Sequence, residues 1–585
     1  MSAVAPVCMA PTAPATERRR LVLGRAHAGF DSAADVAIAP WCFLAAEEAF
    51  ANWQALPFVD GIATPEDRAQ AARDVRLLAN HWVDRMAESL ERRHGETHDR
   101  EYWRILVLPW LLYVLQAAWK RYRLVADFAA RHAGERFVVE VWTDDVNWAP
   151  EDLADFDRRI LHSHGFNFWL TSRTVSAIAP DGWELIPSAS PTADLMPAPF
   201  VPSALPDLRS QARRWVTGGR FRRVVGARWA GVALGLLVHL MPHRPRRVPP
   251  RSRPDAAAVA ERFPAPFLQF VEDLLPAVMP KVLGERYAEM AAIAARHRQV
   301  PGKMSVIGPL LNLDEGDKFD FAHAAEAGER IVCTQHGGGA ITQVNVAGTE
   351  IEYQHDAYLT WGWQRREDYD GRMVSVPSPL YSRYADKHHE RAPELVFVAG
   401  EERLFAPRLE TGHEPTQAFQ ARRQRLAFLQ GVPDAVRPAL RYRAYPGGLG
   451  VLDDIGTMRR QHPGLKVLGD ALEPHLMGCR LMVVDHPTTT FSLALAANVP
   501  TIAILDPAVW TFSRQATPFI DELAAAGIVV ATPEDALMKL AEVWDDVAGW
   551  WSTPDVQSAR HAFCDAYAPT SRLWWWHWAK AMWRL

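Results

Sequence analysis

Apolar residues recur with a helical period through much of the first 130 residues. The longest such stretches are LLANHWVDRMAESLERRH (77–94) and YWRILVLPWLLYVLQAAWKRYRLVADFAARH (102–132). One short strand, RRLVLG (19–24), precedes them. Because apolar positions spaced three and four apart lie on one face of a helix, we expect a large helical elaboration in this part of the chain.

The pattern changes from about Lys303 to short β-rich runs separated by helical stretches. The first series is KMSVIG, RIVCTQ, AYLTWGW and RMVSVP, and the second is ELVFVAG, ALRYRAYP, KVLGD, RLMVVDH, TIAILD and IVVATPEDA. Alternating strands and helices predict parallel sheets with helices on their faces. The sequence therefore predicts an α/β fold with two Rossmann-like domains, and the polar stretch 378–393 between the two series suggests a hinge.

A chain of 585 residues is too long for one core, because single domains rarely exceed about 250 to 300 residues. We expect a disordered leader at 1–18 and an N-terminal Rossmann-like domain with helical insertions at 19–380. A C-terminal Rossmann-like domain follows at 381–568. The final Trp-rich segment, 569–585, is expected to form a helix that can cross back to the N-terminal domain.

The composition is that of a folded globular protein. Hydrophobic residues make up 49% and charged residues 23%, and a formal charge of −5 gives no general attraction to nucleic acid. The five cysteines are scattered without CxxC spacing, which predicts neither a disulfide framework nor a zinc site. The basic residues near the N-terminus follow the first Ala/Pro segment, which is the reverse of the order in a secretory signal. The cysteine pattern and this order together favour a cytoplasmic location.

Two segments have the composition of a lipid contact. The run Trp229–Met241 is shorter than the roughly 18 to 20 residues that cross a bilayer, but it lies within 208–254, which is rich in arginine and has no acidic residue. The C-terminal sequence RLWWWHWAKAMWRL combines tryptophan with basic residues. Each segment fits either a helix packed between domains or a contact with anionic lipid.

The stretch CTQHGGGAITQVNV follows a predicted strand with Gln335, His336 and three glycines, Gly337, Gly338 and Gly339. Ligands of parallel sheets bind at the carboxyl ends of the strands. Glycines accept positive φ and can form a nest of amide groups for a phosphate or carboxylate, to which His336 could also donate a hydrogen bond. The alternative is a tight strand-to-helix turn with a packed histidine.

A second strand ends in Asp485 and His486 and is followed by Thr488, Thr489 and Thr490 at the start of a predicted helix. Hydroxyls and unpaired amides at a helix N-terminus favour an anion such as a diphosphate or phosphodiester. The strand ends with Asp485 and His486, where a ribose or phosphate would bind. The alternative is that one threonine is simply an N-cap.

A third strand end, ALRYRAYPGGLG, brings Arg443 and Tyr445 to the same predicted edge, with Pro446, Gly447 and Gly448 in the turn. An arginine there could pair with a phosphate through two hydrogen bonds. An exposed arginine beside a proline turn is the other interpretation.

Carboxylates that follow the glycine loop are candidates for a general base. Glu350, Glu352 and Asp356 lie between this loop and the next predicted strand, and a positioned carboxylate can accept a hydroxyl proton. Most acidic residues are instead solvated surface groups. The chain has no HExxH and no GxSxG motif, and we expect neither a metal ion nor another cofactor.

Three stretches together resemble a family of bacterial sugar transferases encoded in O-antigen and other surface-carbohydrate clusters. They are the helical block LLANHW to WKRY (77–122), QHGGG (335–339) with EIEYQHDAYLTWGW (350–363), and DHPTTTFSLALAANVPTIAILDP (485–507) with the sequence through FCDAYA (563–568). Residues 135–300 have no counterpart in this resemblance.

The resemblance implies a GT-B glycosyltransferase that acts without a metal. It implies that the C-terminal domain holds a nucleotide-sugar donor and that the N-terminal domain faces a glycan or lipid-linked glycan acceptor, with a peripheral contact at the inner face of the membrane. By the same resemblance the catalytic candidates are His336, Glu352 and Asp356. The donor-binding candidates are Gln335, Gly337, Gly338, Gly339, Arg443, Tyr445, Asp485, His486, Thr488, Thr489 and Thr490.

Similarity to capsule and lipopolysaccharide enzymes that use a Gln-His-Gly loop suggests a CMP-linked acidic sugar as donor. The chain departs from their basic-His-Pro strand end, because it has Arg443-Ala444-Tyr445-Pro446. Three alternatives remain open on the sequence: a nucleotide-sugar 2-epimerase of the same architecture, a CDP-alcohol phosphotransferase, and a non-catalytic scaffold at a membrane surface.

Overall fold

The computed structural model describes most of the chain. The described residues are 18–43, 53–62, 64–144, 146–188, 221–222, 224–241, 255–297, 304–308, 315–367, 369–445, 452 and 454–585. The predicted leader up to residue 17, most of the arginine-rich segment 208–254, and Pro446, Gly447 and Gly448 therefore lie outside the described residues.

The strands form three parallel sheets. They are β1 (Arg19–Val22), β2 (Asp35–Ala37), β3 (Phe137–Val141), β4 (Trp183–Pro187), β5 (Phe221–Arg222), β6 (Met304–Ile307), β7 (Arg330–Thr334), β8 (Ala357–Trp361), β9 (Met373–Val376), β10 (Leu395–Val398), β11 (Leu440–Arg443), β12 (Leu481–Val484), β13 (Thr501–Ile504) and β14 (Val529–Val530).

The helices connect and cover these strands. They are α1 (Pro65–His94), α2 (Arg100–Arg131), α3 (Leu153–Asp155), α4 (His164–Ile178), α5 (Ala230–Leu240), α6 (Ala256–Ala260), α7 (Ala265–Ala277), α8 (Tyr287–His297), α9 (Glu315–Glu326), α10 (Ala347–Glu352), α11 (Pro415–Gly431), α12 (Asp454–Gln461), α13 (Leu472–Leu476), α14 (Thr489–Ala497), α15 (Thr517–Ala525), α16 (Pro533–Val543), α17 (Val547–Trp551), α18 (Pro554–Tyr567) and α19 (Trp574–Arg584).

The central sheet has the order β5-β6-β7-β8-β9 and the C-terminal sheet the order β11-β10-β12-β13-β14, all parallel. Every residue of β7, β8, β10, β12 and β13 is buried, as expected for strands covered on both faces. The predicted α/β class, with two Rossmann-like sheets and a helical N-terminal elaboration, is confirmed. The predicted strand KVLGD was wrong, because Val467 makes only an isolated bridge with Tyr442.

An N-terminal sheet of order β2-β1-β3-β4 was not predicted. Its strands are short and come from residues 19 to 187, and the long helices α1 and α2 separate β2 from β3. Periodicity in the intervening helices therefore dominates the sequence pattern. The range 19–380, predicted as one Rossmann-like domain, contains this sheet as well as the central sheet.

The helices α1 and α2 form a hairpin, in which α2 packs on helices α9 and α10 beside the central sheet. Helix α1 begins after the N-cap Thr64, whose hydroxyl accepts a hydrogen bond from the Asp67 amide. It ends at Gly95, whose φ of 68° is a left-handed value that glycine adopts without steric cost. Helix α2 is buried along most of its length and packs on α1, α4 and α9. Its Tyr102 hydroxyl lies 2.8 Å from the Tyr287 hydroxyl, which links the hairpin to α8.

The C-terminal helices lie against both halves of the molecule. Helix α18 contacts α14 and α15, whereas α19 contacts α5 and β9, with the Trp578 indole donating to the Pro377 carbonyl at 2.9 Å. The segment 378–393, predicted as a hinge, is hydrogen-bonded to the C-terminal half, for example from the His388 amide to the Ala497 carbonyl at 3.1 Å. Within the described residues, every helix is too short or too polar to cross a lipid bilayer.

A buried ion pair connects the helical hairpin to the C-terminal half. Lys120 of α2 lies 2.6 Å from Glu414, which precedes α11, and Arg68 of α1 lies 3.5 Å from the same carboxylate. All three side chains are at most 5% exposed. Removing the carboxylate charge would leave two buried cations with an uncompensated desolvation cost.

We therefore expect Glu414→Gln to lower the free energy of unfolding by about 3 kcal/mol or more, measured by chemical denaturation. The control is Glu542→Gln, which removes the carboxylate from an exposed pair with Lys539 and should cost less than about 1 kcal/mol. Equal, small effects of the two substitutions would contradict this role for Glu414.

Candidate functional site

The carboxyl ends of β7 and β12 meet across the boundary between the central and C-terminal sheets. The loop after β7 contains Gly338, whose amide donates to the Thr489 hydroxyl of α14 at 3.2 Å. Two of the predicted sites, the glycine loop and the threonine helix, are thus brought together. This junction, formed by residues 335–339 and 485–490, is called the edge junction below.

The glycines of the edge junction allow close packing rather than a left-handed backbone. A Cβ on Gly338 would lie 2.6 Å from the Thr488 carbonyl oxygen, and one on Gly337 would lie 2.5 Å from the Thr489 hydroxyl. None of the three glycines has a positive φ, and Gly337 has an extended φ of −160°. The predicted positive-φ nest was wrong, and Gly337 and Gly338 instead make room for the N-terminus of a helix.

Gln335 positions the loop through its own hydrogen bonds. Its carbonyl oxygen accepts from the Trp361 amide at 2.8 Å and the Trp363 indole at 2.7 Å, and its amide nitrogen donates to the Gly337 carbonyl at 2.8 Å. The side chain is 3% exposed. Gln335 therefore holds the loop against β8 and leaves contact with a ligand to other residues.

His336 has the properties of a neutral hydrogen-bonding group. Burial lowers its pKa from 6.5 to about 4, so the ring is uncharged at neutral pH. Its Nδ1 atom is buried and has no hydrogen-bond partner among the described residues. A ring nitrogen in this state can bond a ligand group without an existing contact having to break.

The N-terminus of α14 has unused hydrogen-bonding groups. Thr488 is the N-cap residue by position, yet its side chain makes no capping hydrogen bond. The Thr489 hydroxyl accepts from Gly338, whereas the hydroxyls of Thr488 and Thr490 have no partner among the described residues. All three side chains are partly exposed. Amides and hydroxyls at this position suit an anionic ligand.

Asp485 and His486 lie at the end of β12 but serve a buried network. The Asp485 carboxylate accepts from the Gly400 amide at 2.6 Å, receives the Arg425 guanidinium, and lies 3.3 Å from His486 Nδ1. Burial by itself would raise the pKa of this carboxyl, but the charges and hydrogen bonds of Arg425 and His486 together outweigh it and hold the pKa below its ordinary value. The predicted contact of Asp485 with a ribose or phosphate does not fit these hydrogen bonds, which already occupy its carboxylate.

Arg443 is the last residue of β11, and Tyr445 follows it. Strand β10 separates β11 from β12, which places the two strands roughly 10 Å apart. The Arg443 guanidinium donates to the Leu468 carbonyl at 3.0 Å, and Tyr445 is 43% exposed. Both lie at the carboxyl edge of the sheet, as predicted from the sequence, but at a distance from the edge junction.

Glu352 and Asp356 do not lie at the edge junction. Asp356 accepts the amide of Ile331 at 3.0 Å, which places it beside the amino end of β7, opposite His336. Glu352 is 1% exposed, its carboxyl has no hydrogen-bond partner among the described residues, and burial raises its pKa well above the ordinary value. Neither Glu352 nor Asp356 fits the predicted role of general base at this junction. The side chain of the third candidate, Glu350, lies outside the part of the chain that the structure describes.

Two arginines that stabilise the site were missed in the sequence. Arg425 of α11 contacts Asp485 and also donates to Glu402 at 2.7 Å, which ties the ends of β10 and β12 together. Arg366 donates to the carbonyls of Ala340, Thr342 and Gln343 at 2.7 to 2.9 Å and so fixes the turn after the glycines. Neither lies in a local motif, so no sequence signal distinguished them from surface arginines.

Among the described residues, no group of three or more His, Cys, Asp or Glu side chains has the arrangement of a metal site.

A model of the LIC12162 family transferase matches residues 19–582, which is far more than half of the chain. No curated protein matches the chain.

Two solved structures are similar over much of the chain. An O-GlcNAc transferase mutant of Thermobaculum terrenum has 15% identity over 89% of this chain and 85% of that chain, with a TM-score of 0.26. The spinosyn forosaminyltransferase SpnP has 12% identity over 76% of this chain and 91% of that chain, also with a TM-score of 0.26. At that TM-score neither likeness supports a conclusion about fold or activity.

We expect Gly338→Ala to lower the free energy of unfolding by about 1–3 kcal/mol, because the new methyl group would overlap the backbone of Thr488. The matched control is Gly339→Ala, whose methyl group would first meet the Asn345 side chain, at 3.3 Å, and should cost less than about 1 kcal/mol. Denaturant unfolding measures both. If Gly339→Ala were the more damaging change, the close approach at Gly338 would be refuted.

We also expect His336 to contribute to acid sensitivity. Its pKa is about 4 in the folded protein and 6.5 ordinarily, so between these pH values the unfolded chain binds a proton that the folded chain does not. Its contribution to stability is therefore complete above pH 6.5 and is lost as pH falls toward 4. Thermal midpoints at several pH values should fall less steeply for His336→Gln than for the wild type. Parallel curves would contradict a buried, neutral His336.

Proposed function

The chain belongs to the LIC12162 family of transferases, and from that premise we propose that it is a GT-B glycosyltransferase. The proposed reaction moves a sugar from a nucleotide-activated donor to a glycan acceptor. The observation that carries the proposal is the hydrogen bond from Gly338 to Thr489, which brings the carboxyl edges of two parallel sheets together. Ligands of parallel sheets bind at such edges, so two substrates held by different sheets would meet there.

We assign the donor phosphates to the N-terminus of α14. The hydroxyls of Thr488 and Thr490 have no partner within the described residues, and the positive end of the helix dipole favours a phosphate. Charge grows on the leaving phosphate as the glycosidic bond breaks, and oriented amides and hydroxyls stabilise it. In this proposal the helix performs the role that a metal ion has in other transferases.

His336 is the proposed catalytic residue from the central sheet. A neutral imidazole with an unpartnered Nδ1 can hydrogen-bond an anionic group on the donor or sugar and orient it toward the acceptor. Arg443 and Tyr445 are assigned to a more distant part of the donor, because β10 separates their strand from β12. Gln335, Asp485 and Arg425 position the backbone beneath the site.

The donor nucleotide is the finer part of the proposal. The Gln335-His336-Gly337 sequence favours a CMP-linked acidic sugar by resemblance, whereas Arg443-Ala444-Tyr445-Pro446 departs from the expected strand end. Saturation-transfer NMR of the purified protein with CMP, UDP, GDP and CDP-glycerol separates the classes. We expect selective binding of one nucleotide, with CMP indicating acidic-sugar donors.

Variants of the edge junction test the assignment of residues. Thr490→Val and His336→Ala should each weaken nucleotide binding by about tenfold or more, because hydrogen bonds to charged groups contribute about 1.5–3 kcal/mol. The control Thr553→Val removes a hydroxyl from the N-cap of α18, which does not follow a parallel strand, and should leave binding unchanged. Binding that is equally strong in all three variants would refute the proposed donor site.

Transfer itself is measured by following a labelled sugar from the selected nucleotide donor to a glycan or lipid-linked glycan. Product that appears only with the acceptor supports glycosyl transfer. Conversion of the donor sugar without any acceptor would contradict it and indicate an epimerase. Transfer of the phosphorus rather than the sugar would indicate a phosphotransferase.

A further inference from the structure

Helix α5 and the residue before it expose an apolar stripe. Trp229 is 77% exposed, Leu236 41% and Leu240 77%, and Ala233 is exposed as well. Their spacing of four, three and four residues places them on one face of the helix. Helix surfaces that face water normally carry polar residues. This exposed face of α5 is instead apolar.

Helix α19 repeats this arrangement with tryptophan and lysine. Trp576, Lys580 and Trp583 are separated by four and three residues and are all exposed. Trp578 and Met582 lie on the opposite face and are buried. The helix is thus apolar on its inner face and mixed aromatic and basic on its outer face.

The two helices that carry these exposed side chains are neighbours in the fold. They pack against each other, and Leu234 and Val238 of α5 share a core with Trp578 and Met582 of α19. Of the ten exposed large hydrophobic side chains among the described residues, seven lie on or beside these helices, which concentrates them in one place. We call this the α5/α19 surface, defined by Trp229, Leu236, Leu240, Leu573, Trp575, Trp576 and Trp583.

Charge distinguishes between the possible occupants of this surface. Arg572, Lys580 and Arg584 are exposed beside the tryptophans, and no acidic residue occurs between residues 569 and 585. Helix α5 contains no Lys, Arg, Asp or Glu, and its one basic residue is His239. A partner for the surface must therefore accept large apolar rings and carry negative charge.

We propose that the α5/α19 surface docks on an anionic lipid bilayer, with its tryptophans at the level of the headgroups. Tryptophan is enriched at membrane interfaces, where an apolar ring and a polar N–H are both accommodated. Helices that carry such rings beside basic residues lie in the interface and bind more tightly to anionic lipid. Helix α5 has 11 residues and α19 has 11, so each lies along the interface rather than through it.

Sedimentation of the full-length protein with vesicles tests this docking. We expect binding to phosphatidylcholine vesicles that contain phosphatidylglycerol and at least about fivefold weaker binding to pure phosphatidylcholine. Raising the salt from about 0.1 M to about 1 M shortens the Debye length from about 10 Å to about 3 Å and should weaken the binding further. No nucleotide is required, so the result is independent of the proposed transferase activity.

Substitutions on the surface separate the apolar and charged contributions. The double variant W576S/W583S should bind anionic vesicles at least about tenfold more weakly. The substitutions K580Q and R584Q should each reduce binding about fivefold. The matched control is Met538→Ser on α16, a 65% exposed apolar side chain outside the surface, which should bind like the wild type. Unchanged thermal midpoints confirm that the variants are folded.

Three results would overturn the proposal. The first is wild-type protein that does not bind anionic vesicles. The second is vesicle binding by W576S/W583S that equals that of Met538→Ser. The third is a wild-type dimer that becomes monomeric in W576S/W583S, because the occupant of the surface would then be a second copy of this chain.

Discussion

The close approach of Gly338 to the start of α14 determines how the central and C-terminal sheets face each other. A side chain at this position would overlap the Thr488 carbonyl, so only glycine lets the two backbones come together. The resulting hydrogen bond to Thr489 uses one of the three threonine hydroxyls and leaves the other two without a partner in the described chain. The position of His336 and the free helix N-terminus both follow from this contact.

Buried polar side chains support the backbone on each side of the contact. Gln335 and Arg366 hold the loop after β7 through hydrogen bonds to backbone groups and one indole. Arg425, paired with Asp485, joins the ends of two strands of the other sheet. Burying such groups costs free energy unless they are fully hydrogen-bonded, so the networks favour one arrangement of the loops. They position the site, whereas the side chains of His336 and the three threonines remain partly exposed.

The helical parts of the chain use apolar surface in two different ways. The hairpin of α1 and α2 buries it in the core that it shares with the central sheet. The pair of Lys120 with Glu414 ties the hairpin to the C-terminal half. Helices α5 and α19 bury only their inner faces and leave aromatic rings exposed on the outer ones. The buried side chains of the hairpin stabilise the fold. The exposed rings on the outer faces of α5 and α19 would contribute stability only if another apolar surface covered them. This contrast is the basis for the docking that we propose for the outer faces.

The sequence alone determined the local elements and their chemical character. Continuous apolar runs indicated the buried strands β7, β10 and β12. The glycines that follow β7 and the threonines that follow β12 indicated the carboxyl edge of the sheets, because residues directly after a parallel strand lie at its carboxyl end. Tertiary structure decided which of these residues meet. Asp356 lies at the opposite edge from His336, and Arg425 reaches Asp485 from 60 residues away. The N-terminal sheet and the pairing of α5 with α19 likewise join distant segments, and such contacts depend on packing in three dimensions that no local pattern encodes.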